Sequence, residues 1–191
     1  ICVVAAARQL PVEIENRTLY PLLAKPVSRS TVFLGKYLGV GAMASGVVIL
    51  FSVELLVLFK VLGISIEPVF FQALYLRVLS MWFIAALVLF FSLVMTHAAN
   101  VTVSILVVMA MNTFANTILT LHSELEGVSR YVAEAIYWIA PHLELFDLSK
   151  KVVHEWLAIP IWVLAAMTGY AVLYSGVFLL LGCLRFRRIS L

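Results

Sequence analysis

The sequence predicts an all-α integral membrane protein, a polytopic bundle of helices, and three observations carry that prediction. Hydrophobic residues make up 64% of the 191 and charged residues only 12%, against roughly half and a quarter in soluble domains, and mean hydropathy is +1.09. Apolar runs recur at residues 37–62, 71–95, 101–121 and 159–184, each long enough for the ~20 helical residues that a ~30 Å hydrocarbon core requires. The first three are joined by the short links "GISIEPVF" and "THAAN", so those helices pair antiparallel. The net charge is only +3, and its basic residues stand beside apolar runs rather than in a stripe with aromatics, which argues against a nucleic-acid partner.

Taken in order, residues 1–7 read as the last turns of a hydrophobic span, with the earlier part of the chain missing. Residues 8–35 are too polar to span and form an interfacial segment. Pro11 suits the first turn of a helix, Leu10, Ile14, Leu22 and Leu23 give an apolar stripe, and Glu13, Glu15, Asn16 and Arg17 give a polar face. Pro21 and Pro26 kink the chain beyond that face before "SRSTVFLGK" climbs into the membrane. A plain lipid anchor favours a mainly basic polar face; the mixed charges of Glu13, Glu15 and Arg17 look more like a protein-binding surface, although anchoring to anionic lipid remains an equal alternative on physical grounds. Residues 122–158 read as two short amphipathic helices, lying on the surface or dipping shallowly to cap the bundle. Ser123 and Glu126 have capping-box spacing at the first, and Leu145, Leu148, Val152 and Trp156 line one stripe of the second. The tail 185–191 is basic. Arg8, Arg17, Lys25, Arg29 and Lys36 share a side with Arg185, Arg187 and Arg188 across an even number of spans, so the positive-inside rule places both groups in the cytoplasm and residues 122–158 outside. Lys60 and Arg77 fall on the outer side, where they can snorkel. The whole reads as one transmembrane domain, residues 1–191.

Polar groups inside the spans are few. Glu54 sits in "VVILFSVELLVLFK", where an ionised carboxylate costs on the order of 3 kcal/mol near the bilayer centre, so it should be neutral, paired or near the outer surface. Asn112, Asn116 and Thr120 recur every fourth residue and form one polar ridge. With Glu54 that ridge is a candidate lining for a translocation path or a dimer seam, against the plain reading of helix-to-helix hydrogen bonds. His97 and Asn100 read as a self-satisfied cluster in a tight turn, and Cys2 and Cys183 as small packing residues. No metal-ligand spacing, no nucleophile motif, no catalytic acid pair and no phosphate-binding glycine loop is present, so a catalytic site and a metal are not expected here, and ATP hydrolysis would need another chain.

The string "E.E.RTLYPLLAKPVSRS.VFLGKYLG", carried by Glu13, Glu15, Arg17, Thr18, Leu22, Leu23, Lys25, Pro26, Ser28, Arg29, Gly35 and Lys36, resembles the membrane permease subunits of ABC-2 type ATP-binding cassette transporters. So does "YWIAPHLELFDLSKKVVH" before the last run, and the resemblance covers essentially the whole chain. It implies a bundle of the type V exporter-like kind, in which residues 8–35 form a coupling helix docked on a cytoplasmic ATPase. It also implies two ATPase copies carrying ATP and Mg, a second permease subunit as homodimer or pseudo-symmetric heterodimer, a prokaryotic inner membrane, and export. A membrane-embedded enzyme using Glu54 or a histidine, and a channel-like protein independent of any ATPase, are the rival readings.

Overall fold

The computed structural model describes residues 2–9, 11, 28–121, 131, 141–153 and 157–188, with the backbone alone for 112–121 and 150. Among the described residues the regular structure is helical. Helix α1 spans Cys2–Arg8, α2 Arg29–Val61, α3 Pro68–Phe91 and α4 His97–Leu121. A 3-10 turn at Leu143–Phe146, a short α5 at Ser149–Val153 and α6 at Ile161–Arg188 complete the order. Among the described residues, α2, α3 and α6 are long and apolar enough to cross a membrane, and the part of α4 whose side chains are described, His97–Met111, is apolar as well.

Local chemistry sets the ends. Helix α2 begins eight residues before the expected start at 37, because the Ser28 hydroxyl accepts the Thr31 N–H at 3.1 Å and caps it. It closes on Gly63 at φ +70°. There the Gly63 N–H bonds to the Lys60 carbonyl and the Ile64 N–H to the Phe59 carbonyl, the paired bonds of a Schellman stop that glycine makes without steric cost. Pro68 then opens α3 in its first turn, where its missing N–H is no loss. Helix α6 runs on through Arg188, so most of the expected tail is helical.

Helix α3 is the centre of the bundle. It touches α1, α2, α4, α6 and the 3-10 turn, and residues 83–89 of it are buried without a break. Helices α2 and α6 flank it and leave broad apolar faces outward, among them Leu50, Phe51, Val57, Val172 and Leu180. Those faces suit lipid or another membrane helix, whereas water would penalise them. An aromatic file runs down the α3–α6 seam: Phe146, Tyr170, Tyr174, Phe83, Phe178 and Phe90, with successive ring centroids 4.6–6.4 Å apart.

Residues 141–153 depart from expectation. In place of one amphipathic helix, the chain breaks at Asp147, whose Oδ1 accepts the Ser149 N–H at 3.0 Å and so diverts the backbone into a turn. Leu145 is exposed while Leu143, Phe146 and Leu148 are buried. The segment also packs against α6. The His142 N–H donates to the Tyr170 hydroxyl at 2.9 Å, and Tyr170 lies nine residues inside α6, about 13 Å along its axis. Trp156 and the first expected connecting helix, with Ser123 and Glu126, lie outside the described residues.

Candidate functional site

One end of the bundle gathers six bases. Arg8, Arg29, Lys36, Arg185, Arg187 and Arg188 all lie there, and every described acid, namely Glu54, Glu67, Glu144 and Asp147, lies on the opposite half. This basic end is where the chain leaves α1 at Gln9 and returns at Ser28, so both flanks of residues 10–27 are visible. On the outgoing flank, Lys36 Nζ donates to the Gln9 carbonyl at 3.4 Å, and a His97 ring nitrogen lies 3.4 Å from the Ala7 carbonyl. On the returning flank, Arg29 Nη1 donates to the Phe186 carbonyl at 3.5 Å, while Arg187 Nε donates to the Ser30 hydroxyl at 3.0 Å. The two flanks are thereby tied to the first turns of α2 and the last turn of α6.

Packing beneath these bonds is tight. Phe33 and Phe186 are both fully buried, with ring centroids 6.3 Å apart. Gly182 lies under the Phe33 ring so closely that a Cβ there would overlap it, which explains glycine at that position of α6. Farther along α2, Gly41 faces the indole of Trp82, where a Cβ would come within 2.7 Å of the ring. The same indole donates its N–H to the Ser45 hydroxyl at 2.8 Å and stacks edge-on against Tyr37. Asn100, fully buried, donates to the Val88 carbonyl and accepts from the Ser104 hydroxyl. Asn100 stands in the first turn of α4 and is satisfied by α3 and by the next turn of α4 rather than by a loop.

The residues singled out from sequence divide into several groups. Glu13, Glu15, Arg17, Thr18, Leu22, Leu23, Lys25 and Pro26 lie outside the described residues. Arg29 stands in the first turn of α2, bonded to α6. Glu54 is on the exposed side of α2, seven residues before Val61. Asn112, Asn116 and Thr120 are on α4, with side chains outside the described part. Cys2 is buried and its thiol donates to the Met81 carbonyl at 3.6 Å, which fits a packing role. The contacts of Phe33, Gly182, Phe186 and Arg187 have no counterpart among the sequence-based expectations. Nothing in one sequence pairs the start of α2 with the end of α6, although the glycine and the neighbouring aromatic are each visible alone.

At the opposite end, neutral groups close the structure. The Gln72 side chain grips the backbone of Ile159 twice, donating to its carbonyl at 2.9 Å and accepting its N–H at 2.7 Å. Tyr75 and Thr168 join α3 to α6 through their hydroxyls at 2.9 Å. Two cavities lie below this closure. One of about 330 Å³ is bounded by α2, α3 and residues 146–153; the other, of about 240 Å³, lies beside Cys2 and Val3. Arg77, Phe146 and Asp147 form a wall common to both.

A bundle of apolar helices with lipid-suited faces, six of its described bases gathered at one end, defines a polytopic membrane protein. All of it, residues 1–191, matches the family described as ABC-2 family transporter protein. The chain belongs to that family, and the membership makes it a transport permease. Searches among curated proteins and among solved structures returned no match.

Proposed function

We infer that this chain is the membrane subunit of an ATP-driven exporter, coupled to a separate ATP-binding cassette ATPase through residues 8–35. The observation that carries the reading is the family match over residues 1–191, to which the anchoring of both flanks of 10–27 adds a physical route. Displacement of Glu13, Glu15, Arg17, Thr18, Leu22, Leu23, Lys25 or Pro26 by an ATPase would reach the bundle through Gln9–Lys36 and through Arg29–Phe186. Two ATPase copies would bind ATP and Mg, and two permease subunits would pair across apolar faces, with Glu54, Asn112, Asn116 and Thr120 near the seam or path. The basic end faces the cytoplasm of a prokaryotic cell in this reading, as the positive-inside rule favours. The chain itself needs no catalytic residue or cofactor.

The test is co-expression of the full-length permease with the ATPase encoded beside it, purification through a tag on the permease, and assay in lipid discs. Stoichiometric ATPase is expected to co-elute. Charge reversal at Glu13, Glu15 or Arg17 is expected to leave ATP hydrolysis running while transport falls by about tenfold or more. A folded permease that recovers no ATPase, or full transport in all three reversals, overturns the coupling assignment.

A further inference from the structure

The seam between α2 and α6 is closed at the basic end and opens above it. Phe33 sits on Gly182 there, and Arg187 Nε donates to the Ser30 hydroxyl at 3.0 Å. Farther along, α3 shows between the two helices. A cavity of about 420 Å³ is lined there by Tyr37 of α2, Leu79 and Trp82 of α3, and Val172, Gly176 and Leu179 of α6. Its volume falls within the ~300–1,000 Å³ typical of small-molecule sites. Gly176 keeps the space open, since nothing lies within 4 Å of where its Cβ would stand.

The polar atoms of this lining are already bonded within the protein. The Trp82 N–H donates to Ser45, and the Tyr37 hydroxyl is bonded to Ser175. What remains is an apolar wall, which suits a hydrocarbon chain rather than a polar solute. Val172 is exposed, so the cavity opens outward to lipid. The charge at its foot completes the match. Ser30, Leu34 and Tyr37 share one face of α2, as Gly176, Leu180 and Arg187 share one face of α6, and each face is polar at the basic end and apolar beyond it. Arg187 is exposed, and its bond to Ser30 takes one of five guanidinium donors. No described acid lies at that end. Along α6, Leu179 is about 12 Å and Val172 about 22 Å farther into the membrane than Arg187. A lipid held here therefore keeps its head at the interface and its chain toward the midplane.

We propose that this cleft between α2, α3 and α6 binds an acidic membrane phospholipid, its phosphate on Arg187 and Ser30 and one acyl chain rising past Leu34 over Leu179, Trp82 and Gly176. The inference rests on the helices lying in a bilayer and not on any ATPase, so its test is independent of the coupling assignment.

The experiment is fluorescence quenching of the full-length permease in mixed bilayers of phosphatidylglycerol and phosphatidylcholine, with bromine on the acyl chains of one lipid or the other. Every tryptophan except Trp82 is replaced by phenylalanine, and bromine quenches an indole only at close range, so the signal reports whose chain lies on Trp82. With all tryptophans kept, the quenching lost in Trp82→Phe reads the same contact. Phosphatidylglycerol is expected to be preferred about fivefold, the worth of one arginine at an anionic surface. Arg187→Gln removes most of that preference and Arg187→Lys keeps it. The other bases of that end are unchanged, so general enrichment of acidic lipid there cancels in the comparison. Gly176→Leu fills the cleft and lowers quenching by both lipids several-fold. Equal quenching by the two lipids in the parent, or an unchanged preference in Arg187→Gln, overturns the proposal. So does a Trp82 that neither lipid quenches, which assigns the cleft to a helix of a second copy or of another protein. Loss of the preference in low-millimolar inorganic phosphate overturns it as well, by assigning Arg187 to a free anion.

Discussion

The two ends of the bundle are held by opposite chemistry. At the basic end, Arg29, Lys36 and His97 reach main-chain carbonyls over 3.4–3.5 Å, where hydrogen bonds are long and weak, and no described acid lies nearby. At the other end, Gln72, Tyr75 and Tyr170 make neutral bonds of 2.7–2.9 Å between elements. Flexible side chains such as those of Arg29 and Lys36 can exchange one carbonyl for another at little cost, whereas a half-buried amide gripping a backbone N–H and C=O at once cannot. The difference teaches that this fold is clamped at the capped end and left adjustable where residues 10–27 attach.

Breaking the clamp should have the largest effect. Gln72→Leu strands the Ile159 N–H and carbonyl, a loss of about 3 kcal/mol, and is expected to lower the thermal midpoint in detergent by roughly 6–12 °C. Next comes the closest packing described at the basic end. Gly182→Ala forces the Phe33 ring from its buried place, at about 2 kcal/mol, or roughly 4–8 °C by the same measurement. Trp82→Phe deletes the bond to Ser45 together with the outer ring edge that lies over Gly41, an expected ~1.5 kcal/mol and roughly 3–6 °C. Smallest of all, Arg29→Ala and Lys36→Ala are expected to move the midpoint by less than about 2 °C, since exposed or part-exposed bonds of this kind are worth ~0.5 kcal/mol. If the last pair melt as early as Gln72→Leu, the basic end is a clamp too, and the contrast between the ends fails.

Much of this architecture is legible in the sequence, and the reasons are specific. The apolar runs mark the spanning helices because length in hydrocarbon is a one-dimensional property. Gly63, Pro68 and Pro160 stand where helices stop or start, for reasons contained in their own backbones. Ser28 shows where such reading errs: its cap carries α2 eight residues beyond the apolar run, since a capped helix does not stop at a polarity boundary. The stripe predicted from Leu145, Leu148 and Val152 fails because the Asp147 carboxylate prefers a local turn. Arg77 is visible as a letter, but its exposure to a cavity depends on residues 146–153 packing across α2 and α3, which no periodicity announces.

Helix α2 has a mechanical consequence. At 33 residues it is about 50 Å long, well beyond a ~30 Å hydrocarbon core, and its backbone comes hard against a neighbouring side chain at Gly41, on the Trp82 indole. With that contact as fulcrum, the short arm to Arg29 is about 18 Å and the long arm to Val61 about 30 Å. A rigid α2 pushed ~3 Å at its basic end would therefore sweep its far end by ~5 Å. The wall formed by Val48, Ser52 and Leu55 rides on the inner part of that long arm, ~10–21 Å from Gly41, so it moves by ~2–3.5 Å, about as far as the push that starts it, and only the end of α2 near Val61 is swept farther.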